Sequence, residues 1–128
     1  MPFGFGGKKD AGLEFKGEYL GGHTAYPKKK DVKLVLEPQS LAIRELGLNL
    51  AYKDISSIEN MTKEKMSAKR VILLGVVGAL WKKEELYMVL TYNDPVIKAD
   101  QSMIFKMEKL DEAQPAIYQR IAAARASL

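Results

Sequence analysis

Lys69 to Asp94 reads KRVILLGVVGALWKKEELYMVLTYND, and the fold class turns on how this stretch is read. Lys69-Arg70 precedes ten consecutive apolar or Gly residues, Val71 to Leu80. Trp81-Lys82-Lys83-Glu84-Glu85 follows, then a second apolar run from Leu86 to Tyr92, closed by Asn93-Asp94-Pro95. Short apolar runs bounded by charged and turn-forming residues read as buried strands. The spacing predicts a long β-hairpin with a charged turn. Val71 to Trp81 is the most apolar window, at about half the ~20 residues that a bilayer-spanning helix needs.

Upstream, the apolar residues alternate. Val32, Leu34 and Leu36 oppose Lys33, Val35 and Glu37; Leu41 and Ile43 oppose Ala42 and Arg44; Leu48, Leu50 and Tyr52 continue the pattern. This period of two is that of half-buried strands. Pro38-Gln39 and Gly47 mark the turns between them. Ile55 and Ile58 are out of phase with Tyr52, which predicts a bend near Asp54. Glu14 to Tyr26 reads as a strand bent at Gly21-Gly22, Ser102 to Met107 as another strand, and Asn60 to Ala68 as a solvated strand end or loop. From Asp111 the period changes. Leu110, Ala113, Ile117, Ile121, Ala124 and Leu128 form one helical stripe. Pro115 is best tolerated in a first turn, which suggests that regular helix starts slightly after Asp111.

The expectation is a mainly β domain, residues 15–128, behind a Gly-rich flexible arm, residues 1–14. About seven antiparallel strands form a barrel capped by one C-terminal helix. The 128 residues suit one domain, and 47% hydrophobic with 28% charged residues is ordinary for a globular protein. A net charge of +4 is too mild and dispersed for a dedicated nucleic-acid binder. With no Cys there is no disulfide and no thiolate metal site, and the first residues lack a signal-peptide core. A cytoplasmic protein is expected, either free or peripheral to the membrane.

Several pieces in order resemble the prokaryotic pleckstrin-homology-like (PH-like) family. They are Tyr19-Leu20-Gly21-Gly22, Tyr52 to Glu59, Arg70 to Gly75, Trp81 to Glu84, and Leu90 to Asp94 ahead of Ile104-Phe105. The resemblance implies a PH-like barrel that binds phosphoinositides, peptides or proteins without catalysis. Members of the family also assemble into rings.

Two candidate sites follow. Lys28, Lys29, Lys30 and Lys33 lie around the first turn, where phosphoinositide-binding relatives carry basic residues. Lysine supplies a point charge for phosphate. The basic-x-Arg pair of those relatives is missing, since Leu34 and Val35 follow Lys33. A solvated turn is the plain alternative. The second candidate is self-association through Val71 to Leu80, an apolar strand on both faces. Either Gly75, Val77 and Ala79 or Leu74, Val76 and Gly78 would face the partner; covering by the chain's own helix or arm is the alternative. Lys63, Lys65, Lys69 and Arg70 make another basic group, and Lys82-Lys83 adjoin Trp81, but Glu84 and Glu85 cancel that charge.

Nothing spells out a reaction. His23 is the single histidine and reads as structural. Asp94, Asp100, Asp111 and Glu112 fit no calcium loop. Gly4 to Gly7 lacks the strand and helix that a phosphate loop needs. The sequence therefore points to a non-enzymatic domain without cofactor. Its expected partner is a protein, including copies of itself as a homo-oligomer; the alternative is an anionic membrane surface.

Overall fold

The computed structural model describes residues 13–26, 28–68 and 85–126. Seven strands form one open antiparallel sheet. They are β1 (Glu14–Gly21), β2 (Lys30–Leu36), β3 (Ser40–Ile43), β4 (Leu48–Ala51), β5 (Ile55–Met61), β6 (Tyr87–Asp94) and β7 (Ala99–Met107). A short helix, α1 (Lys63–Ala68), follows β5, and a long helix, α2 (Leu110–Ala126), ends the domain. The strand order is β4-β3-β2-β1-β7-β6-β5, so β1 and β7 join the two halves of the sheet. This is the mainly β architecture with a C-terminal helix expected from the sequence, and it is consistent with a PH-like barrel.

Alternation sets which face is buried. Phe15, Tyr19, Val32, Leu34, Leu36, Leu41 and Ile43 point into one core, joined by Met103 and Phe105 from β7. Ala113, Ile117 and Ile121 of α2 close that core, as their spacing predicted. Three polar side chains of α2 then satisfy carbonyls at the rim of the sheet. Gln114 donates to the Ile58 carbonyl at 2.9 Å, and Arg125 to that of Ile55 at 2.8 Å. Arg120 donates to Glu37 at 3.2 Å, a carbonyl that the Tyr52 hydroxyl also reaches at 2.7 Å. The first two bonds protect β5, an edge strand whose outer carbonyls would otherwise be open to pairing. Pro115 lies within α2, further in than expected. Its exposed position lets water take the place of the missing helical bond.

The structure changes three details of the sequence reading. The bend predicted near Asp54 is a 3-10 turn, Tyr52–Asp54, which separates β4 from β5 and resets the phase. A second 3-10 turn, Arg44–Leu46, ends the third strand at Ile43, and Gly47 leaves it with φ of 67°. Asn60 to Ala68, read as a solvated strand end or loop, is the end of a strand followed by a short helix. Here β5 runs to Met61, and Thr62 starts α1 by accepting the Lys65 amide on its hydroxyl at 3.2 Å. Helix α1 seats Met66, fully buried, on the outer face of the sheet.

That outer face carries a second apolar cluster: Leu20, Met61, Met66, Tyr87, Val89 and Ile104. Strand β6 is consequently buried on both sides. Tyr87 and Val89 pack outward, while Met88, Leu90 and Tyr92 pack inward. Its expected hairpin partner, Val71 to Leu80, lies outside the described residues. Both edges of β6 are already filled, by β5 (Asn60 opposite Met88) and by β7 (Leu90 opposite Met103). The strand legible in the sequence is thus present, and its neighbours are β5 and β7.

Candidate binding surface at the loop end of the sheet

The β1–β2 connection and the β6–β7 turn meet at one end of the sheet, and a glycine pair makes this possible. Gly21 and Gly22 have φ of 130° and 108°. The register of β1 on β7 shifts between Tyr19 and Gly21, so the bend read from the sequence is there. A Cβ at Gly22 would lie 2.5 Å from the Ser102 carbonyl oxygen. The chain can therefore pass this close to β7 only without a side chain.

The bend turns His23 inward, where it is 4% exposed. Its Nδ1 accepts the Ala25 amide at 3.0 Å. Its Nε2 lies 2.8 Å from the Tyr92 hydroxyl, which reaches Asp94 Oδ2 at 3.2 Å. With Nδ1 accepting, the proton of the neutral ring sits on Nε2 and is donated to Tyr92, which donates to Asp94. The His23 amide donates to the Tyr19 hydroxyl at 3.1 Å, and that hydroxyl donates to the Tyr26 carbonyl. Thr24 and Gln101 exchange two more bonds, at 3.2 and 3.1 Å. Burial, opposed by Asp94, holds the His23 pKa below that of a free imidazole. Burial and the adjacent Asp94 push the Tyr92 hydroxyl well above its ordinary value.

Asp94 also builds the β6–β7 turn. Its Oδ1 accepts the Val96 amide at 2.9 Å, and its carbonyl accepts the Lys98 amide at 2.7 Å. The Val96 amide is the main reason that its carboxyl titrates below the usual carboxylate range. Lys98 takes the left-handed conformation, φ 55°, to close the turn. Val96 is left 86% exposed and Ile97 50% exposed. Two branched apolar side chains thus stand at the tip of an ordered turn, beside Lys98.

The candidate lysines separate into two groups. Lys28 and Lys29 are exposed on the connection that His23 and Thr24 pin to β6 and β7, and Lys30, also exposed, follows it as the first residue of β2. Lys30 donates to the Glu45 carbonyl at 2.9 Å, tying the start of β2 to the β3–β4 turn. Lys33 does not join them. It lies opposite Lys16 on the outer face of the sheet, in a groove of about 510 Å³ that also holds Glu18, Asp31, Lys106 and Glu108. That groove carries both signs of charge and favours no anion. The self-association candidates Leu74, Val76, Val77 and Ala79 lie outside the described residues.

Sequence reasoning passed over Val96 and Ile97 as loop. Their signal is two branched apolar residues after a proline in a turn, where polar residues are the rule. No family model, curated protein or solved structure matches this chain.

Proposed function

We propose that this is a non-catalytic, PH-like binding module that docks by its loop end onto an anionic membrane surface. The observation that supports it is the exposed Val96-Ile97 tip next to Lys98 on a turn fixed by Asp94, with exposed Lys28 and Lys29 on the connection that His23 joins to the same hairpin. Apolar side chains on an ordered turn enter the acyl boundary without first having to be organised. Each contributes up to about 1.5–3 kcal/mol when fully buried. Each lysine near an anionic surface adds about 1 kcal/mol. No helix among the described residues is long and apolar enough to cross a membrane.

The protein is expected to co-sediment with vesicles containing phosphatidylserine and not with purely zwitterionic ones, and retention should weaken as salt screens the lysines. Reversing Lys28 and Lys29 to Glu should lower vesicle affinity by more than tenfold. Equal retention of the parent and this variant would remove the proposal.

Protein binding, including self-association, is the second reading. A groove of about 340 Å³ between β5 and α2 supports it, lined by Ser57, Ile58, Tyr118, Ile121 and Arg125, with Tyr118 57% exposed. Failure to bind either vesicle type, with a solution mass above one chain, would favour this reading.

A further inference from the structure

We propose that His23 is an acid-sensitive latch within the β1–β2 connection, which closes the turn at Ala25 and lets that turn open on protonation. The device stands on the asymmetry of the two ring nitrogens. On one side, Nε2 faces Tyr92 and, 3.7 Å away, the Asp94 carboxylate. A protonated ring keeps these partners and gains an ion pair with Asp94. On the other side, Nδ1 has one task, to accept the Ala25 amide. A proton added there sets one donor against another, and that bond cannot survive. Release therefore falls on the turn, and the ring stays with β6.

Among the described residues, Asp94 is the charged group that acts on the ring. From β6 it faces Tyr92 and Asp94, and from β1 Tyr19, whose hydroxyl accepts the His23 amide. Within its own turn Tyr26 packs against it, with ring centroids 4.9 Å apart. From β7 the nearest side chain in the network, Gln101, bears no charge and bonds to Thr24. Burial outweighs the pull of Asp94, so the neutral ring is favoured in the closed form. A depressed folded-state pKa fixes the sign. The latch contributes fully above the free imidazole value of about 6.5, and its contribution is lost as pH falls through the folded value. The turn that opens lies in the same connection as Lys28 and Lys29. The latch itself does not depend on what those lysines bind.

The test is amide exchange by NMR between pH 7.5 and 4.5, together with the His23 ring resonances. The protection factor of the Ala25 amide should fall at least tenfold with the midpoint of His23 protonation, while amides of β6 and β7 keep theirs. His23→Asn should remove the pH dependence, because an Asn oxygen accepts the amide two residues on and does not titrate. If that variant does not fold, Asp94→Asn serves instead, and it should move the transition to lower pH. Ala25 protection that stays constant while His23 protonates would overturn the proposal. So would a transition unchanged in the variant that folds, or a His23 that never titrates in this range.

Discussion

Replacing Ile121 by Asp is expected to unfold the domain or bring it to the edge of unfolding. Ile121 is 5% exposed, and with Ile117 and Ala113 it closes the core under α2. Truncating a buried aliphatic side chain costs about 2–5 kcal/mol, and a carboxylate left there without a partner adds to that. Domains of this size have about 5–15 kcal/mol in total. Urea titration followed by circular dichroism should show the midpoint lowered by most of its value, or no folded baseline. Tyr118→Asp, one turn away but exposed, should leave the midpoint almost unchanged. Similar midpoints for Ile121→Asp and the parent would mean that α2 does not close the core.

The second large effect is expected at Gly22. Its φ of 108° is disfavoured for any side chain, and an added Cβ would sit 2.5 Å from a backbone oxygen that cannot move independently of β7. Backbone strain of this kind costs about 1–3 kcal/mol, and the clash raises it. Gly22→Ala should destabilise the domain by roughly 3 kcal/mol or more, and it should shift the resonances of His23 and Ser102. Gly47 is the control. It also has positive φ, but an added Cβ there would meet nothing within 4 Å. Gly47→Asn should cost less than about 1 kcal/mol, since Asn tolerates the left-handed region. Equal losses at the two glycines would refute the close-approach argument.

Much of this fold is legible in the sequence because its strands are half-buried. Val32, Leu34 and Leu36 alternate with Lys33 and Glu37, and the pattern states both the strand and its inner face. The stripe from Leu110 through Ile121 does the same for α2. Pairing was less legible. Neighbours in sequence usually pair, which made Val71 to Leu80 the natural partner for Leu86 to Tyr92. β6 instead pairs with β5, which ends at Met61, and nothing in a strand's own residues encodes so distant a partner. The short helix α1 was hidden by its polarity. Lys63, Glu64 and Lys65 read as loop, although Thr62 is a good N-cap and one methionine, Met66, is enough to bury the helix on the sheet.

The loop end was half legible. Gly21-Gly22 announced a bend, and Lys28 to Lys30 announced positive charge. His23 read only as a structural residue, and it is indeed buried. Its polar partners lie on Tyr92 and Asp94, 69 residues away in the case of Tyr92, and only the folded sheet brings them together. Val96 and Ile97 were visible as residues but not as a tip. Their exposure follows from the Asp94 turn, a local geometry that composition does not reveal.

The chain has no cysteine, so one introduced at the tip can carry the only label. Val96→Cys and, as a reference on the exposed face of α2, Gln119→Cys would each carry an environment-sensitive fluorophore. On addition of phosphatidylserine-containing vesicles, the label at position 96 should shift to the blue and brighten, while that at position 119 stays as in water. No response at position 96, or the same response at both positions, would contradict docking by the loop end.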